Sequence, residues 1–154
     1  MTETDAVDVW KHRIEAGNRA FRKNDFKEAV ICYQKACARA QSLLEFSADY
    51  RGAVAALLVS YHNLADTLIL EEQETKALGR LRDVHWVLMM KLNRSGIPPA
   101  QHWALLDGCH RNRVQICLTV RTLHERSASK ASVPLAPVIA LRRAHVGEGL
   151  LSRL

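Results

Sequence analysis

Apolar residues recur every three or four positions along most of the chain, which is the period of an α-helix with one buried face. The clearest example is residues 26–40, where the apolar and small positions lie on one stripe over four turns. Similar stripes cover residues 10–21, 54–69, 77–92 and 105–123. No segment alternates with the period of a strand. The pattern predicts an all-α protein of five to six helices that pack as antiparallel hairpins.

Polar and turn-forming residues set the predicted boundaries. A first helix is expected over residues 6–23 with Asp5 as its N-cap. A last long helix is expected over residues 99–126, with Val120 on its buried face. We therefore predict a helical domain at residues 6–126 and a C-terminal segment at residues 127–154. This segment opens with a Ser-, Ala- and Pro-rich linker, and residues 137–145 form a short basic helix or belong to a flexible tail.

Small and aromatic residues recur in the first two hairpins, and they form the candidate inter-helix packing set: Gly17, Phe21, Phe26, Ala29, Tyr33 and Ala36 in the first, with Ala65, Ala77 and Leu81 in the second. Gly17 and Ala29 are small enough to let two helices approach, and the aromatic rings fill the space around that contact. Ala65 and Ala77 occupy the matching places in the second hairpin. The internal repeat is therefore 48 residues long, counted from Gly17 to Ala65.

This spacing resembles the tetratricopeptide repeat, closely over residues 10–43 and more loosely up to residue 92. The repeat exceeds the usual length of about 34 residues by about four helical turns. Two extra turns in each of the second and third helices would account for the difference. The extended arrangement resembles the tetratricopeptide domains of the large immunophilins, whose S-x-x-N-L-A motif is similar to the segment at residues 60–65.

The resemblance implies a short superhelix whose concave face binds a peptide or helix of a partner protein, in a non-enzymatic, adaptor and chaperone-like role. Candidate groove residues are Lys11, Ile14, Asn18, Arg22, His62, Asn63, Asp66 and Arg113. One side of the third helix is small and polar and is suited to line the groove: Ala53, Ala56, Ser60, Asn63 and Thr67.

Chaperone-binding members of this family hold an acidic C-terminus in a clamp of lysine, asparagine and arginine side chains. In this chain Asn18 and Asn63 fall on the two asparagine positions of that clamp. Ile14 falls where the first lysine belongs, and Asp66 adds a negative charge where a carboxylate would bind. The clamp is thus half present, and tail binding competes with the reading that these asparagines serve the repeat itself.

The net charge of +6 is unevenly distributed, because residues 79–154 hold 12 Lys and Arg against 4 Asp and Glu. A basic half suits an acidic partner or is simply a solvated helix face. Nucleic-acid binding is the less favoured reading, since no aromatic stacking platform accompanies the arginines. Self-association into a homodimer through an apolar patch on the fourth helix is a further alternative, unless the basic tail covers that patch: Trp86, Val87, Met89 and Met90.

The sequence favours neither a metal site nor a catalytic one. The four cysteines show no C-x-x-C spacing, and we expect them to be reduced core thiols in a cytoplasmic protein. No nucleophile, base and orienting group form a recognisable set, and no glycine-rich phosphate loop is present. The acidic N-terminus is unlike a signal peptide, and uncharged stretches are shorter than a membrane span. We therefore expect no enzyme activity, no cofactor and no membrane partner.

Overall fold

The structure is a computed structural model that describes residues 2–128. Within that range the chain forms five helices: α1 (Glu3–Arg22), α2 (Phe26–Phe46), α3 (Tyr50–Leu70), α4 (Glu74–Leu92) and α5 (Pro99–Ala128). The described residues contain no strand, so the predicted all-α class is confirmed. Helix α5 continues through Ala128, two residues into the expected linker. The helix or tail expected at residues 137–145 lies outside the described residues.

The first helix begins earlier than the sequence reading placed it. Its N-cap is Thr2, whose hydroxyl accepts a hydrogen bond from the Asp5 backbone N–H. The Asp5 carboxylate accepts in return from the Thr2 backbone N–H at 2.8 Å, and these bonds lower the pKa of Asp5. Asp5 is therefore the N3 residue of a capping box whose N-cap is Thr2. Its prediction as the N-cap was wrong.

The turns after α1 and α3 have the same geometry. Asn24 and Glu72, which stand 48 residues apart, both adopt left-handed backbone angles, with φ of 59° and 58°. The next residue in each turn donates its backbone N–H five residues back, from Asp25 to Ala20 and from Gln73 to Leu68. This is the Schellman pattern of a helix C-terminus. The 48-residue repeat inferred from side chains is thus present in the backbone as well.

Helix α3 is the central element, and it packs against all four other helices. Fourteen of its 21 residues are buried, so it has no wide solvent-facing side. Among the described residues it is also the one helix long and apolar enough to cross a membrane, with 78% of the apolar window buried by the rest of the fold. Packing against the four other helices accounts for its composition.

The candidate packing residues of the first hairpin meet where α1 contacts α2. The Gly17 backbone faces the ring of Tyr33, and a Cβ added at Gly17 would lie 2.5 Å from Tyr33 Cε1. The rings of Phe21 and Phe26 meet edge to face with centroids 5.4 Å apart. The remaining members of the set are fully buried: Ala29, Ala36, Ala65, Ala77 and Leu81. Gly17 thus permits the close approach of α1 to α2.

The last described helix is apolar on its outer side. Val120 was expected in the core but is 47% exposed, because it lies beyond the arc of α5 that faces α3 and α4. Cys117 is exposed and is the exception to the expected core thiols. On α4 the expected patch is divided, since Trp86 and Met90 are exposed while Val87 and Met89 pack against the core.

Candidate functional site

Helices α1, α3 and α5 form one layer, and polar side chains connect them at a nearly constant interval. The Trp10 indole N–H donates to Ser60 Oγ at 2.9 Å, across 50 residues of sequence. His62 Nε2 lies 3.0 Å from Asn112 Oδ1, again 50 residues apart. Such constant offsets mean that α1, α3 and α5 run parallel in similar register, as the first helices of successive hairpins do.

Asn112 is the residue that ties α5 into this layer. It is fully buried, and its amide donates to the Leu81 carbonyl of α4 at 2.8 Å while its oxygen faces His62. One turn further along α5, Gln115 donates to the Asp66 carboxylate at 3.3 Å. The sequence reading missed Asn112 and Gln115, because both are polar and Asn112 stands between Arg111 and Arg113, which gives no sign of burial.

The structure brings only some of the candidate groove residues to an accessible surface. Lys11, Asn18, His62 and Asn63 are half-buried along the facing sides of α1 and α3, and Arg22 is exposed at the end of α1. Asn18 also accepts a hydrogen bond from the Tyr33 hydroxyl at 2.7 Å. Its position therefore serves the packing of the hairpin as well as the surface.

Three of the groove predictions were wrong. Ile14 is 1% exposed and belongs to the core, and Asp66 is 3% exposed. Arg113 is exposed but stands two residues from Gln115, about 200° around the helix from the side that meets α3. Arg111, one turn before Gln115, is the cation on the groove side, and it pairs with Asp107 at 2.9 Å.

The predicted small and polar side of α3 is mostly buried. Ser60 and Thr67 are fully buried and donate their hydroxyl groups to backbone carbonyls four residues back. Ala53 and Ala56 are also buried but line a recess beside α1. Of this set, Asn63 alone is half-exposed. The clamp expected from the resemblance is therefore incomplete, with core residues at Ile14 and Asp66.

A pocket of about 310 Å³ lies between the first halves of α1 and α3, at the end where α2 leads into α3. At the rim of the pocket, Glu3 accepts hydrogen bonds from the Ser47 hydroxyl and the Ala48 backbone N–H. The bond from Ser47 is the main reason that the pKa of Glu3 is lowered. The carboxylate therefore stays charged while it joins α1 to the α2–α3 turn.

Comparison with known proteins places the chain in a family without placing its function. The family model described as "Protein of unknown function (DUF2753)" matches residues 8–131. This chain belongs to the DUF2753 family. No curated protein and no solved structure matches it.

The family match covers every helix of the DUF2753 fold described above, apart from the first five residues of α1. The polar links between α1, α3 and α5 lie inside it, as does most of the pocket lining, whereas Glu3, Thr4 and Val7 precede the matched residues. Among residues 2–128 no group of three or more His, Cys, Asp or Glu side chains could hold a metal ion. The chemistry that this DUF2753 chain presents on its layer of parallel helices is thus that of amides, carboxylates, a lysine and apolar side chains.

Proposed function

We propose that this chain is a non-enzymatic adaptor whose α1, α3 and α5 layer binds a peptide or helical segment of a partner protein. Stacked helical hairpins form extended concave surfaces, and such surfaces recognise peptides. The resemblance of residues 10–43 to a tetratricopeptide repeat supports the same class. The observation that carries the proposal is the 310 Å³ pocket between α1 and α3, because it is a recess within this layer.

A partly exposed stripe on α3 continues from the pocket. Gly52, Ala55, His62, Asn63 and Leu70 are half-buried residues on one side of a helix that is otherwise mostly buried. From Gly52 to Leu70 the stripe is about 27 Å long at the rise of an α-helix. An extended peptide of about eight residues has this length. The stripe combines apolar, amide and imidazole groups, which suits contacts to both side chains and backbone of a bound segment.

The test is peptide selection followed by mutation of the layer. Peptides selected from a random display library on the purified full chain are labelled, and their affinities are measured by fluorescence anisotropy. Asn63→Ala is expected to weaken binding about tenfold or more, a loss of about 1.4 kcal/mol. Arg113→Ala is the matched control on the other side of α5 and is expected to leave affinity unchanged. Equal binding by the two variants would refute the proposal.

A second candidate role, self-association, is favoured by the outer face of α5. Trp103, Leu106, Val114 and Leu118 are between 42% and 68% exposed. The outer side of α1, at the opposite end of the stack, exposes Val9 as its one large apolar side chain among the described residues. Terminal elements of helical stacks normally present a polar outer face. The apolar outer face of α5 is therefore typical of an interface.

We propose a second copy of the chain as the occupant of that face. A two-fold axis passing Val114 would place Asp107 opposite Arg121 of the second copy, so the two charges attract in an isologous contact. Light scattering on the full chain is expected to give a dimer that Trp103→Ser and Leu118→Ser convert to a monomer, while Val9→Ser does not. A wild-type chain that stays monomeric at high concentration would exclude this role.

A further inference from the structure

The pocket between α1 and α3 has an apolar interior. Val7, Trp10 and Leu43 contribute side chains from α1 and α2, and Ala53 and Ala56 form the wall on α3. Because the alanine side chains end at Cβ, this wall leaves room that larger residues would fill. The volume is at the lower end of the range of about 300–1,000 Å³ for small-molecule sites. It suits one or two side chains of a bound segment.

The rim of the same pocket is acidic. Among the described residues that line the pocket, Glu3, Asp8 and Asp49 are acidic and Lys11 is the single cation. Glu3 is held in its charged form by the hydrogen bond from Ser47, and Asp49 is committed to capping α3 through the Gly52 backbone N–H at 2.9 Å. This local excess of negative charge is opposite in sign to the net charge of the chain, +6. Partly screened charges at a concave rim attract a cation and repel a carboxylate.

We infer that the pocket takes a large apolar side chain from a partner segment in which lysine or arginine stands next to that residue. The apolar side chain enters between α1 and α3, and the cation lies over Asp8 at the rim. This inference rests on the proposed function and names the chemistry that the peptide must have. It departs from the acidic C-terminus that the tetratricopeptide resemblance implies.

One further position opposes binding of an acidic terminus to this layer. Ile14 is buried where the clamp needs its first lysine. A carboxylate ligand would therefore meet the negative charge of the pocket rim without a lysine at that position.

The experiment uses four fluorescein-labelled peptides that share a Gly/Ser framework of eight residues. Their two central residues are Leu-Arg, Leu-Glu, Ser-Arg and Ser-Glu. Anisotropy titrations with the full chain are expected to show the tightest binding for Leu-Arg, and binding about tenfold or more weaker for the other three. Raising the salt concentration is expected to reduce the preference for Leu-Arg over Leu-Glu, because an exposed rim is screened within about 8–10 Å.

Two variants assign this binding to the pocket. Asp8→Lys reverses one rim charge at an exposed position, and it is expected to remove the preference for arginine over glutamate. Asp83→Lys is the matched charge reversal on α4, outside the pocket, and is expected to preserve it. Ala56→Met fills the apolar interior and is expected to weaken Leu-Arg binding at least tenfold. Thermal melts of each variant separate loss of the site from loss of the fold.

The outcomes also separate this inference from the proposed function. If library-selected peptides lose affinity in Asn63→Ala but not in Asp8→Lys or Ala56→Met, the layer binds peptides and the inference about the pocket is overturned. If the Leu-Glu peptide binds as well as Leu-Arg, the charge argument is wrong. If all four peptides bind equally weakly, the pocket is not a peptide site, whether a second copy or the chain's own C-terminal residues fill it.

Discussion

The replacement of Gly17 by alanine tests the repeat packing most directly. In an isolated helix this change is favourable by about 1 kcal/mol, because glycine loses more backbone entropy than alanine. In this fold the added Cβ would lie 2.5, 2.7 and 2.9 Å from three ring carbons of Tyr33. Tyr33 is fully buried, and its hydroxyl is bonded to Asn18, so the ring cannot move aside without disturbing the α1–α2 contact.

Adding one methyl group to a packed core lowers the free energy of unfolding by about 1–3 kcal/mol. Because three atoms of a rigid ring would contact the new Cβ, Gly17→Ala is expected near the upper end of that range. We expect a net loss of about 2 kcal/mol of unfolding free energy. For a chain of this size that corresponds to a fall in melting temperature of about 4–8 °C. Urea unfolding followed by circular dichroism gives the free energy, and a thermal melt gives the temperature.

Gly79 supplies the matched control, because it lies in the interior of α4 and a Cβ there would meet no atom within 4 Å. Gly79→Ala is expected to stabilise the protein by about 0.5–1 kcal/mol. The double change Gly17→Ala with Tyr33→Leu is expected to cost less than the sum of the single changes, by about 1 kcal/mol or more. The packing argument fails if Gly17→Ala raises stability as Gly79→Ala does.

Three further predictions concern buried charge, backbone strain and alkaline pH. Glu45→Gln is expected to lower the free energy of unfolding by about 1–2 kcal/mol, because it leaves the nearly buried Lys91 ammonium without its carboxylate at 2.6 Å. Lys91→Met is expected to lower it by less. Urea unfolding of the two variants compares these losses. Glu72→Gly is expected to raise the melting temperature by about 2–4 °C, since Glu72 holds a left-handed φ of 58°; no gain would contradict the turn geometry. Burial raises the pKa of both Cys37 and Tyr61 to about 12. Their stabilising effect is complete below the ordinary thiol pKa near 9 and is lost as pH rises to about 12, so urea midpoints should fall in that window.

The helices and their pairing could be predicted from the sequence because they depend on local patterns. The 3.6-residue period of apolar positions predicts the five helices. The small residues Gly17 and Ala65 indicate where the two helices of a hairpin approach each other. The capping box at Thr2 and Asp5 has a readable S/T-x-x-acid spacing, yet Asp5 alone was chosen as the cap. The signal for Thr2 as the N-cap was therefore present in the sequence.

The site was harder to predict, because it depends on contacts between residues about 50 positions apart. Ile14 and Asp66 were placed in the groove by their position in a family motif, and lateral packing of the helices buries both. Arg113 was preferred over Arg111, and the choice between them requires the rotation of α5 about its axis, which Gln115 and Asn112 fix. The acidic rim of the pocket combines Glu3 and Asp8 of α1 with Asp49 of the α2–α3 turn, and no local pattern joins them.

The burial of α3 by helices on both sides has a consequence for synthesis of the chain. Half of its cover comes from α4 and α5, and the last of these ends 58 residues after Leu70. At about 5–20 residues per second, the ribosome needs roughly 3–12 seconds to make that stretch. A 21-residue helix apolar enough for a lipid bilayer has only α1 and α2 to cover it until α4 ends, 22 residues after Leu70, and its cover stays incomplete until α5 is made. During this time, factors that bind hydrophobic segments can bind the nascent chain. Rapid packing of the first three helices limits that exposure.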